Sequence, residues 1–191
     1  AGTNRYGLKL CCFTTVGSSG QTVILAFALL KYEDEAQIEW AFRCFADTFR
    51  VAPATLLTDG AASIEAAFNA CTGEGDVFQH TKHLLCVFHI WKNFYQHLHP
   101  ILIGDQDIWR RVCHMFWRLA KISDAAFASP ADFDKYSAEQ STCVEHFDEY
   151  WDKMVALVKE HASGTTVDLA ITWLLKLYLI RQKWAACFTW A

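Results

Sequence analysis

Asp59 stands where an apolar run stops. The stretch TLLTDGAASIEAAF (55–68) places Leu56 and Leu57 before it and small helix formers after it. An aspartate there has two readings. It can cap the helix that opens at Gly60 or Ala61, since Asp is a favoured N-cap residue. It can also be a metal ligand at the carboxyl end of a strand, because Mg²⁺ takes hard oxygen donors. No capping box supports the first reading, because position 62 is Ala rather than Glu or Gln. Cys86 and His89, spaced i, i+3, form a second group. They could present two ligands to zinc, but a closed zinc site needs four. Nothing in the spacing requires Cys113 and His114 to complete it, so zinc is not expected. The pair otherwise reads as a buried thiol beside a locally bonded imidazole. Lys92 and Asn93 could meet a phosphate or form a solvated face. Arg110, Arg111, Arg118 and Lys121 are the densest basic patch. Arg111 and Arg118 lie two turns apart on one helical face, a spacing that suits phosphate contacts as well as a solvated surface.

The elements around these residues follow from periodicity. LKLCCFTTV (8–16) and TVILAFALL (22–30), joined by GSSGQ, predict a β-hairpin. The second strand is apolar without alternation, which predicts burial on both faces. Ile38, Ala41, Phe42, Phe45 and Phe49 then repeat at helical spacing, with acidic residues crowding the first turn. Pro53 breaks the chain before a short strand at 55–58, and Ile64, Ala67, Phe68 and Cys71 mark the next helix. HLLCVFHI (83–90) predicts a strand that runs into the helix WKNFYQHL, giving the order β-β-α-β-α-β-α. From Ile101 onward the patterns are helical only, with Ile108, Val112, Phe116 and Leu119 on one face and further helices over about 132–160 and 166–188. Ser129 or Asp132 is the candidate start of the first of these. Trp109, Trp117, Trp151, Trp173 and Trp184 read as its aromatic core.

The chain has 191 residues, 53% apolar and 15% aromatic with eight Trp, enough for a sizeable core and too apolar for disorder. A net charge of −4 means that any DNA-binding surface is local or lies outside this chain. The eight cysteines are scattered without a CxxC pair, as expected for free thiols in a reducing compartment. No membrane partner is expected, since the longest apolar stretch, Leu169–Ile180, is interrupted by Lys176. The opening AGTNRYG lacks an initiator Met and the chain stops on the apolar WAACFTWA, so a piece of a longer protein is expected.

Taken in order, TNRYGL (3–8), Glu33 seven residues before Trp40, LLTDG (56–60) and HLLCVFHIWKN (83–93) resemble the Mutator-like (MULE) transposase domain. The far-red-impaired-response regulators of plants and SWIM-type zinc-finger proteins carry the same kind of domain. The resemblance extends through the helical tail. It implies an α/β fold: a ribonuclease-H-like core over residues 1–100 whose first strand is missing, then an all-helical insertion over 101–191 of the same domain. It implies DNA strand cleavage and transfer by the parent protein, through three acids and two ions of Mg²⁺ or Mn²⁺. Asp59 matches the second acid, a catalytic residue and metal ligand. Cys86, His89, Lys92, Asn93, Arg111 and Arg118 are then DNA-binding or site-supporting. The family's first acid precedes a TNRYG-like segment and its third follows the insertion, so one acid of three is matched and this chain by itself is expected to be inactive. Glu33 does not substitute: in the family's strand order it lies roughly 14 Å from Asp59, and it reads instead as the cap of the helix carrying Trp40. The implied partner is DNA at transposon ends, a homo-oligomer is compatible, and the implied compartment is the nucleus. The alternative is a domesticated, non-catalytic DNA-binding regulator of transcription. Without the central strand, two strands would face a gap with unpaired edges, and residues 1–191 alone would be poorly stable or aggregate.

Overall fold

The computed structural model describes residues 4–120, 140–162 and 166–185. Ser129, Asp132 and the start of the helix expected from 132 lie outside the described residues. The chain divides into two compact units, residues 1–83 and 84–191.

In the first unit Asn4–Leu8 of the TNRYGL motif form a braced turn. The Asn4 side chain accepts from the backbone N–H of Tyr6 and Leu8 and donates back to the Leu8 carbonyl. Gly7 takes φ +67°, a conformation that a side chain would strain. β1 (Lys9–Val16) then pairs antiparallel with β2 (Thr22–Leu30), from Lys9 opposite Leu30 to Val16 opposite Thr22, with a register shift between Phe13 and Thr14. Cys11, Phe13, Ala28 and Leu30 point toward α1 (Glu35–Phe49), whose buried face is Ile38, Ala41, Phe42 and Ala46. The opposite face of the hairpin is open, with Phe27 66% exposed and Leu29 60%. The double-sided burial expected of β2 is therefore not met. One helix covers one face, and among the described residues nothing covers the other.

Asp34, not Glu33, caps α1: its Oδ1 accepts from the Gln37 N–H at 2.9 Å. The shorter side chain suits that reach, and Gln37 Oε1 in return accepts from the Lys31 and Tyr32 N–H groups. β3 (Thr55–Thr58), α2 (Ala62–Ala70) and β4 (Lys82–Leu85) follow. Phe42, Phe68 and Phe78 pack ring on ring beneath them, and Arg43 ties the layer together. Its guanidinium bonds Glu39 on its own helix, Asp76 at 2.7 Å and the Ala70 carbonyl.

The described strands form two separate two-stranded sheets, β1–β2 and β3–β4. A cavity of about 700 Å³ is lined by all eight residues of β1 and by every residue from Thr55 to Asp59. Consecutive residues of β1 and β3 line it, which places it along their edges, and Leu25, Leu30, Ile38 and Phe42 complete its lining. β1 borders this cavity along its whole length.

The second unit is helical. α3 (Val87–Leu102) takes Cys86 as its N-cap residue and carries Pro100 in its last turn. α4 (Gln106–Ala120), α5 (Gln140–His161) and α6 (Thr166–Leu179) follow, with a short 3₁₀ turn at Arg181–Lys183. Phe94, Leu98, Phe116, Leu119, Phe147, Met154 and Leu174 are fully buried at their centre. The Trp reading holds here: Trp109, Trp151 and Trp184 are buried, Trp117 and Trp173 partly so. The Trp184 indole donates to the Leu177 carbonyl at 3.1 Å, which satisfies its buried N–H.

Candidate functional site

Strand β3 ends at Thr58 because the chain turns at Asp59. Asp59 Oδ1 accepts from the Ala61 N–H at 3.2 Å, closing an Asx turn over Gly60. The helix N-cap is Ala61, which has no side-chain cap. Asp59 therefore lies two residues ahead of the cap position, and the simple capping reading does not describe it. Its side chain is exposed at the carboxyl end of β3 and borders the cavity.

The residue before it is held from across the sheet. The Thr58 hydroxyl donates to the Asp59 carbonyl at 2.8 Å, and His83 Nε2 on β4 lies 2.7 Å from the Thr58 hydroxyl oxygen. With the hydroxyl proton given to the carbonyl, Nε2 is the donor to Thr58. The imidazole stacks on Phe68 of α2, centroids 4.6 Å apart. Thr58 and His83 were not legible as a pair in the sequence. The signal lay in strand pairing, since both residues sit near the ends of neighbouring strands.

In the second unit Cys86 is half-buried at the start of α3, and its carbonyl accepts from the His89 N–H at 3.0 Å. The His89 side chain is exposed, with the Phe88 ring edge-on to it at 5.8 Å. Lys92 and Asn93 are exposed one turn further along. On α4, Arg111 and Arg118 are both exposed and two turns apart, as the spacing predicts. Arg118 lies over the Tyr150 ring at 5.2 Å, and the neighbouring Arg110 pairs with Asp107 at 3.4 Å. His114 lies between Arg111 and Arg118 and is also exposed. Burial pushes the Cys113 thiol up to about 11.

Residues 2–93 match the family model of the MULE transposase domain. Residues 2–93 carry a MULE transposase domain. That match spans just under half of the chain and contains the TNRYGL, LLTDG and HLLCVFHIWKN motifs, with Asp59, Cys86, His89, Lys92 and Asn93. Arg111 and Arg118 lie beyond it. No curated protein and no solved structure matched the chain.

Transposase domains act on DNA and in general use divalent metal. The donor set described here does not fit a two-metal centre. Two divalent ions need several converging carboxylates, and among the described residues no group of three or more His, Cys, Asp or Glu converges. Asp59 offers one carboxylate, with one oxygen already engaged by Ala61. Among the described residues no helix is long and apolar enough to cross a membrane.

Proposed function

We propose that this chain is part of the catalytic domain of a DNA transposase, whose parent protein cleaves and transfers DNA strands with Mg²⁺ or Mn²⁺ in the nucleus. Its architecture on this reading is a ribonuclease-H-like core followed by a helical insertion. The observation that carries the reading is the place of Asp59. The aspartate of LLTDG, inside the matched family segment, stands exposed where β3 ends, beside a cavity bordered by the unpaired edges of β1 and β3. A strand seated between those edges would join the two sheets into one, as a ribonuclease-H-like core requires. Asp59 then supplies one ligand of a metal site whose other ligands are not among the described residues. Lys92, Asn93, Arg111 and Arg118 contact DNA phosphates, and Cys86 and His89 support the site.

A second reading, a non-catalytic DNA-binding regulator of transcription, is favoured by one observation: the described residues present a single matched acid. Nicking of supercoiled plasmid by the parent protein in Mn²⁺, wild type against Asp59→Asn, separates the two. Loss of nicking with retained DNA binding in the variant supports the transposase. Nicking that survives the substitution contradicts the role of Asp59. DNA binding with no nicking by the wild type makes the regulator the better account.

A further inference from the structure

One side of α3 carries rings where a solvent-facing helix usually carries charge. Phe88, Lys92, Tyr95 and His99 stand at i, i+4, i+7 and i+11, so they share one side of the helix. Phe88 is 65% exposed and Tyr95 42%, and Lys92 between them is exposed. The two rings are differently held. Phe88 meets the His89 ring edge-on at 5.8 Å, whereas Tyr95 is braced by His99, stacked at 4.3 Å, and by Trp109 edge-on at 5.6 Å. The helix contains no Asp or Glu along its 16 residues, in a chain whose net charge is −4. A side that alternates ring, cation and ring, without a carboxylate on its helix, complements a ligand that is flat and anionic.

We propose that this side of α3 is a seat for single-stranded nucleic acid, with bases stacking on Phe88 and Tyr95 and Lys92 meeting the phosphate between them. The proposal rests on DNA being the partner, as argued above, and adds the form in which it binds. Base faces are free to stack on side chains in a single strand, whereas in a duplex they are stacked on each other. Seven residues of helix separate the two rings by roughly 10 Å, well beyond the rise of about 3.4 Å between bases stacked on each other as in a duplex. The rings therefore take separated bases, and the strand between them passes Lys92.

Fluorescence anisotropy with a labelled short oligothymidylate tests this, with a duplex of the same length measured in parallel. Phe88→Ala is expected to weaken oligothymidylate binding by about tenfold, within the range of base–aromatic stacking, and to leave duplex binding unchanged. Phe88→Trp should restore it, which separates lost stacking from lost fold. Lys92→Gln should reduce the slope of log affinity against log salt by about 0.7. If Phe88→Ala binds oligothymidylate as tightly as the wild type, the proposal is overturned. It is also overturned if the wild type binds duplex but no oligothymidylate, while the DNA reading stands; if neither is bound, both fail. A Phe88→Ala variant that dissociates a dimer in sedimentation equilibrium, with oligothymidylate affinity unchanged, would make this side a protein interface and end the proposal.

Discussion

Phe78 and Phe27 lie in the same unit, and replacing each with Ala should have opposite consequences. Phe78 is 1% exposed and contacts the Phe42 ring at 5.4 Å and the Phe68 ring at 5.8 Å. Truncating a phenylalanine in such a core costs about 3–5 kcal/mol, from lost transfer free energy and the cavity left behind. A unit the size of residues 1–83 is worth roughly 4–12 kcal/mol in total, so Phe78→Ala removes a large share of it. Phe27 lies on the open face of the hairpin, and Phe27→Ala should change stability by no more than about 0.5 kcal/mol. Hydrogen exchange read by mass spectrometry resolves the effect within this unit. For the slowest peptides of residues 36–83, Phe78→Ala should raise exchange by about two to three and a half powers of ten, at roughly 1.4 kcal/mol for each. Phe27→Ala should leave them unchanged. Equal acceleration by both variants would refute the reasoning, because it would mean that the outer face of the hairpin is buried in solution.

Three further outcomes follow from the contacts. The Arg43 guanidinium holds the Asp76 carboxyl below its ordinary value of 3.8, so that pair stabilises the fold above this pH and the contribution is lost as pH falls through the depressed value. Arg43→Met should therefore lower the denaturation midpoint at neutral pH, and its difference from the wild type should shrink on acidification; a constant gap would contradict this. Iodoacetamide at pH 8 should label the exposed Cys12 and Cys44 before Cys113, whose raised thiol should react roughly a hundredfold more slowly in quantitative mass spectrometry. Thr58→Val should cost about 1 kcal/mol in thermal unfolding, because it removes the hydroxyl that joins His83 to the Asp59 carbonyl, while Thr58→Ser should recover most of it.

Local order was largely legible in the sequence. The predicted run β-β-α-β-α-β-α is the order observed, and the predicted face of α1 is the one that buries Ile38, Ala41 and Phe42. Those readings succeed because an amphipathic period reports directly which side of an element meets the core. The unbroken apolar run of β2 misled, since a pattern shows what a strand is able to bury and not which partners are there to cover it. HLLCVFHI failed at its boundary for a related reason. An apolar run has no period that separates strand from helix, so the strand ends at Leu85 and α3 already begins at Val87. Asp59 was found through its motif, whereas Thr58 and His83 depend on which strands pair, a non-local fact that no window of sequence contains.

The measurement that reaches the central claim most directly is affinity cleavage of the parent protein by Fe²⁺ standing in for Mg²⁺. With ascorbate and peroxide, an ion held by Asp59 should cut the polypeptide within a few residues of that position. Mass spectrometry should find scission clustered around residues 57–61, suppressed by excess Mg²⁺ and absent in Asp59→Asn. Parent protein that binds DNA but shows no Mg²⁺-sensitive cluster there would contradict the assignment of Asp59 as a metal ligand.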